Sequence, residues 1–226
     1  MVALRPLQVT LDDVCFCHWP VSEAAVRSAV PDWLTVETAD GDAWVSAVVA
    51  TVDRVETFGI EVAGPSELLT VRTYVRGPTG QRGVCVLGLF GDDRRTATAV
   101  SELFRITVGD AVPRTLSTAD RRRVLDAGER RLFECRYTSG GEPVALPPDS
   151  LAAFLVDRQR YFTTGRFGTH LVGSVGHDPW RLDRVDATVT GSVLSIVDIS
   201  APNSDPLVHH SPALRVSVAP PVPPEP

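Results

Sequence analysis

The sequence predicts an α+β, mostly β fold, a barrel of antiparallel or mixed strands with about three short helices at its flanks. Three observations carry this. Extended runs, either alternating with period two or apolar on both faces, recur along the chain. Helix starts are few, at Ser22, at Asp92 or Asp93, and at Ser150. Strands and helices do not alternate in the regular way that an all-parallel sheet requires.

The clearest element is a hairpin within Glu67–Asp93, ELLTVRTYVRGPTGQRGVCVLGLFGDD. From Leu68 to Arg76, Leu69, Val71, Thr73 and Val75 share one face, and Thr70, Arg72, Tyr74 and Arg76 share the other. Gly77-Pro78-Thr79-Gly80 supplies the turn, because Pro fixes φ and Gly tolerates positive φ. The return strand Val84–Phe90 is apolar on both faces, as a strand covered on both sides should be. The polar face of the first strand is either solvated or turned to the inside of a barrel, where an arginine and a tyrosine can hold an acidic ligand.

The other elements follow in chain order. Val14–Trp19 reads as a strand stopped by Pro20. Ser22 caps a short helix, Glu23–Val30, closed by Pro31. Leu34–Thr38 is extended, Asp40-Gly41 is a hairpin turn, and Ala43–Asp53 is apolar on both faces and therefore central. Glu56–Glu67 reads as loop, with Gly59, Gly64 and Pro65. A helix then runs to about Phe104 from its cap at Asp92 or Asp93. Ala111–Leu116 is a strand, and Thr118–Leu125 with Leu132–Tyr137 forms a hairpin across Asp126-Ala127-Gly128-Glu129. The arginine run 121–123 reads as solvated surface. Gly140–Pro148 is loop, Ser150 opens a helix through Val156, and Tyr161–Thr164, Thr169–Gly176, Arg181–Val189 and Leu214–Val218 are strands. One barrel domain is expected over 1–219, with an extended, disordered Pro-rich tail over 220–226.

Composition narrows the chemistry. At 226 residues and 43% hydrophobic, the chain can bury a sizeable core. No apolar run reaches the roughly 18 residues a spanning helix needs, and the N-terminal stretch has no signal-peptide pattern, so a cytoplasmic protein without membrane contact is expected. A net charge of −6 argues against a general nucleic-acid binder. Cys15, Cys17, Cys85 and Cys135 are expected to be reduced thiols. The Cys15–Cys17 spacing is not the two-residue gap of zinc sites and reads as small buried side chains on a strand.

All 22 basic residues are arginine, and the chain has no lysine. That removes any lysine Schiff base, lysine-bound pyridoxal phosphate and the Walker A lysine. Arginine stays charged and donates hydrogen bonds, so it is no substitute nucleophile. No G-x-S-x-G elbow, H-E-x-x-H or paired C-x-x-C is present, and no cofactor or metal is expected.

Several phrases occur in a telling order. They are His18-Trp19, Asp40-Gly41-Asp42-Ala43-Trp44-Val45, Glu67 followed by Val71-Arg72-Thr73-Tyr74-Val75, Gly83-Val84, Leu151–Arg158 followed by Tyr161, and His177-Asp178-Pro179-Trp180. Together they resemble the YqjF-like family of uncharacterised conserved proteins, over most of the chain from His18 to Val218. That family is similar in fold to acetoacetate decarboxylase, which implies a closed, cone-like β-barrel with flanking helices and an internal pocket. It implies no activity here, because acetoacetate decarboxylases work through a reactive lysine that this chain lacks.

The candidate site residues are Arg72, Tyr74, Glu67, His177 and Trp180. Arg72 would neutralise a carboxylate beside Tyr74, Glu67 or His177 would move a proton, and Trp180 would cover the site with an apolar wall and one donor. Glu67 is offset from Arg72 by an odd number of residues, so the two share a pocket only across a bulge or bend. If interior, they should pair with each other or with ligand. His18, His177, His209 and His210 could converge on a metal only through the fold, because no local ligand motif links them and spacing across strands is not recorded in sequence. The expected function is binding of a small anionic or keto-type organic molecule, with any catalysis of lyase or hydrolase type. The competing reading is a non-catalytic interaction or ligand-sensing protein, a homodimer through an exposed strand edge.

Overall fold

The structure is a computed structural model that describes residues 7–117, 121–138, 140–200, 202 and 204–224. Its elements are β1 (Leu7–Val21), α1 (Glu23–Arg27), β2 (Thr35–Val36), β3 (Thr38–Ala39), β4 (Asp42–Thr57), β5 (Ile60–Ala63), β6 (Ser66–Arg76), β7 (Arg82–Gly91), α2 (Arg94–Phe104), β8 (Val112–Ser117), β9 (Arg122–Ala127), β10 (Arg130–Tyr137), β11 (Glu142–Pro143), α3 (Leu151–Val156), β12 (Arg160–Thr164), β13 (His170–His177), β14 (Asp183–Arg184), β15 (Ala187–Gly191) and β16 (Leu207–Val218). Side-chain oxygens of Ser22, Asp93 and Ser150 cap the three α-helices, as the sequence predicts. No helix among the described residues is long and apolar enough to cross a membrane.

Seven strands are hydrogen-bonded in the order β1-β4-β6-β7-β12-β13-β16, and β16 pairs back onto β1, so the sheet closes into a ring. Around it, β7 and β12 run parallel and the other neighbours antiparallel. A second sheet, β15-β10-β9-β8, packs on the outside. Cys15, Cys17, Ala47, Val49, Leu69 and Val71 of the ring join Leu125, Phe133 and Cys135 of the second sheet in one core. Phe16, Ala50, Tyr74 and Val84 turn the other way and pack with Phe154, Leu155 and Val156 of α3. Side-chain alternation along each strand thus sorts residues between the ring's interior and the space between the sheets.

The differences from sequence expectation have local causes. β1 starts at Leu7 rather than Val14, and β16 at Leu207 rather than Leu214, because they pair along most of their length, from Leu7↔Val218 to His18↔Leu207. A bulge at Asp13, with φ of 51°, flips the alternation, so Val9 and Leu11 face the same way as Val14 and Phe16 and no single period runs through the strand. The segment read as loop at 56–67 is the end of β4, then β5 and the start of β6. Phe58 and Gly59, at φ of 55° and 73°, make its turn, and β5 leaves Ile60 and Val62 exposed, so burial gives it no pattern. The expected strand Arg181–Val189 divides, β14 pairing with β16 and β15 with β10. α1 ends at Arg27, whose guanidinium instead donates to the carbonyls of Val30, Pro31 and Leu34. In the tail, expected to be disordered, Val222 exchanges two backbone hydrogen bonds with Val172. Of the predicted hairpin start Thr118–Leu125, residues 118–120 lie outside the described residues.

Tyr161 lies directly across from Gly173 in the β12–β13 pair and covers it; a Cβ on Gly173 would stand far inside van der Waals contact with two carbons of the tyrosine ring. Gly173→Ala is expected to destabilise the fold by about 1–3 kcal/mol through forced repacking. Denaturant unfolding checks this, and a loss below about 0.5 kcal/mol would show that the ring yields.

Candidate functional site

A cavity of about 160 Å³ lies inside the ring. One water needs only about 10–15 Å³, so the space suits a small organic molecule. Its wall is largely apolar, with Phe16, Val48, Ala50, Val86, Val156 and Leu214 among the lining residues. Arg72, Arg158, His177 and Trp180 bring polar atoms into the same wall.

Arg72 reaches the cavity because it lies on the inward face of β6. Its Nη2 donates to the Leu155 carbonyl at 2.9 Å, while its buried Nε has no partner. The guanidinium carbon stands 5.6 Å from the Phe16 ring centre and 5.9 Å from that of Tyr74. No ion pair among the described residues includes Arg72. A half-buried cation therefore faces an apolar cavity without a carboxylate to balance it.

Arg158, just beyond α3, is more deeply buried, its side chain 4% exposed. Its Nε donates to the Phe154 carbonyl at 2.7 Å and its Nη1 to Glu37 at 2.9 Å, while Nη2 has no partner. Burial lowers its pKa and the neighbouring Glu37 opposes that shift. Glu37 also receives Arg76 at 2.8 Å and Arg82 at 2.6 Å. One buried carboxylate thus serves three guanidiniums, which leaves the region positive.

Tyr74 donates to the Leu155 carbonyl at 2.7 Å, which uses its only proton. Its oxygen therefore accepts from Ser46 at 2.6 Å, and Ser46 in turn accepts from Nδ1–H of His18 at 2.6 Å. This chain makes Nε2 of His18 the bare acceptor nitrogen, and it has no partner. Burial, with help from His209 and Arg72, holds the pKa of His18 well below 6.5. The His209 ring, centred 5.3 Å away, is likewise pulled down by burial, to about 4.

His177 donates from Nδ1 to the Asp178 carbonyl at 2.8 Å. Its Nε2 stands 3.3 Å from an Asp157 carboxylate oxygen, without the alignment of a hydrogen bond. Trp180 packs 5.1 Å from His177 and edge-on to Phe16 at 5.3 Å, and its buried Nε1 is unpartnered. Four of the five candidates therefore converge: Arg72, His177 and Trp180 line the cavity, and Tyr74 lies beneath Arg72.

A family model, DUF2071, described as an uncharacterized conserved protein, matches residues 8–215. The chain belongs to the DUF2071 family. The resemblance read from the ordered phrases is thereby borne out. The DUF2071 chain is 28% identical over 217 residues to the uncharacterized protein YqjF of Bacillus subtilis (strain 168), a match covering 91% of this chain and 87% of YqjF. Acetoacetate decarboxylase from Legionella pneumophila superposes with a TM-score of 0.72 at 12% identity, over 96% of this chain and 86% of the decarboxylase. The enduracididine biosynthesis enzyme MppR, in its complex with pyruvate, superposes with a TM-score of 0.65 at 12% identity, over 98% and 91% of the two chains. The DUF2071 chain therefore has the acetoacetate decarboxylase-like fold.

Glu67, read as a proton-moving residue, is not in the cavity. It points outward, as its odd offset from Arg72 requires: the register shift at Val71 and Arg72 skips Leu87 on β7, so the bulge falls on β7 and the alternation of β6 is unbroken. Its carboxylate accepts from Thr51 and Thr115, each at 2.9 Å, and from Arg123. Arg123 corrects a second expectation. Its side chain is 1% exposed, whereas the run 121–123 reads as solvated surface. The second sheet covers it, and Glu67 and Asp13 hold its charge. Arg76, read on the same face as Arg72 and Tyr74, is drawn off to Glu37. Sequence reasoning missed Arg158 and Glu37 as site residues, and treated His18 only as a metal candidate. Their one signal was position within the ordered phrases or beside them.

Proposed function

We propose that this DUF2071 chain binds a small organic anion, a carboxylate or keto acid with an apolar body, inside its strand ring. Arg72 carries the reading: a cation with no carboxylate partner and an unpartnered buried Nε, set in an apolar wall. A ligand carboxylate would take donors from Arg72 and from Nη2 of Arg158, and charge-assisted bonds in a dry site are strong. Trp180 would close the apolar side, and His177, which lines the same cavity, would accept or return a proton through Nε2. The likeness to MppR, whose structure holds pyruvate, supports a keto acid as the ligand class. Any reaction proceeds without a lysine imine, since the chain has no lysine. Binding without turnover, as in a ligand sensor of the cytoplasm, is the second reading. It is favoured by the absence of any cysteine, serine or lysine among the cavity-lining residues described.

A melting screen against pyruvate, acetoacetate, lactate and their neutral amides tests the proposal. An acid at 100 times its dissociation constant should stabilise by about 2.7 kcal/mol, or roughly 5–10 °C at this size. The shift should vanish in Arg72→Ala and be absent for the amides. A cooperative melt with no response to any acid would overturn the anion site.

A further inference from the structure

Cys15 and Cys17 sit two residues apart on β1, on the face turned to the second sheet, and Cys135 on β10 meets them there. The Sγ of Cys135 is 3.9 Å from that of Cys15 and 3.6 Å from that of Cys17, and all three sulfurs lie within 4.8 Å of one another. None is in a disulfide, and all three side chains are fully buried. Successive same-face positions on a strand are about 6.6 Å apart along the backbone. The two β1 sulfurs have therefore converged on the third.

We propose that Cys15, Cys17 and Cys135 form a three-sulfur site for one soft, thiophilic cation, Cu(I), clamped between the ring and the second sheet. The separations fit coordination. With metal–sulfur bonds of about 2.3 Å, sulfurs in a tetrahedral or trigonal shell stand about 3.8–4.0 Å apart, so little movement is needed. The donor set selects the metal. Three sulfurs without oxygen or nitrogen donors favour a soft cation, and among the described residues no histidine or carboxylate joins the group to complete the four-coordinate shell of zinc. Loading is ligand exchange at constant oxidation state. Each thiol that becomes a ligand releases its proton to solvent as the metal–sulfur bond forms. The sequence could not show this site, because Cys135 lies 118 residues from Cys17 and no local spacing records their meeting.

The test uses the full chain, reduced and refolded from denaturant under argon, with Cu(I) supplied as its acetonitrile complex and Zn(II) in a parallel sample. Native mass spectrometry and the near-ultraviolet sulfur-to-copper band should report one copper per chain, retained against a weak chelator, with zinc at least tenfold less retained. Cys85→Ser should load normally and Cys135→Ser should not. If Cys135→Ser fails to fold, Cys17→Ala is read in its place. No stoichiometric copper in the parent chain, equal loading in the variant, or a Cys17–Cys135 disulfide in the protein as isolated would each overturn the site.

Discussion

Arg123→Ala should destabilise the protein by about 3–5 kcal/mol, the range expected when one partner of a buried ion pair is removed. The Arg123 side chain is 1% exposed and donates to Glu67, Thr51, Thr115 and Asp13, both to the carboxylate and to the carbonyl of Asp13. Asp13 would keep Arg121 and the Nε2–H of His210. Glu67 would keep only the two threonine hydroxyls, so its charge is the one left stranded between the sheets. Neutralising it should then recover part of the loss. Urea unfolding of Arg123→Ala, Glu67→Gln and the double variant forms a cycle, and a coupling of at least about 1 kcal/mol is expected for residues in direct contact. A loss under about 1 kcal/mol for Arg123→Ala would mean that the run 121–123 is solvated after all.

Acid should weaken the fold well before its carboxylates titrate. His18 and His209 are buried with pKa values held below 6.5, that of His209 at about 4. Near pH 6 the unfolded chain takes up protons at both histidines and the folded chain does not. Stability therefore rises with pH here, is full above about 6.5, and falls as pH drops, by about 1.4 kcal/mol per unit for each histidine. For His209 the window closes near its folded value of about 4, a cumulative loss of about 3 kcal/mol. His18, the more strongly lowered, continues to contribute below that. Asp13 acts later. Hydrogen bonding from His210 and the charges of Arg123 and Arg121 outweigh its burial and hold its pKa far below 3.8, so its contribution is intact above that value and fades only beneath it. Urea midpoints at pH 7, 6, 5 and 4 check this, with His209→Gln expected to flatten the slope by about one proton's worth. A flat profile from pH 7 to 5 would show that both histidines accept protons in the folded state.

What could be read in advance depended on whether the information was local. The alternation from Leu68 to Arg76 placed Arg72 and Tyr74 on one face, and parity alone sent Glu67 to the other. Caps at Ser22 and Ser150 and the Asp93 alternative were visible because capping spans three residues. Arg123 was illegible because its burial is imposed by β1, β4, β6 and β8, which supply Asp13, Thr51, Glu67 and Thr115. Arg158 has no pattern around it, since Glu37 meets it from 121 residues away. β5 was missed because its side chains are mostly exposed and a strand without a buried face carries no period.

The seam between β1 and β16 also sets a clock. Gln8 and Ser217 share a hydrogen bond across 209 residues, so β1 acquires this neighbour only after that length of chain has been made. At about 5–20 residues per second of synthesis, β1 waits roughly 10–40 s with one edge unpaired. That edge ends in Leu7, Val9 and Leu11, a strand-pairing template for any neighbouring nascent chain. The newborn protein is therefore most exposed to misassembly on the ribosome, and the same pairing that makes the finished ring edgeless comes too late to protect it there.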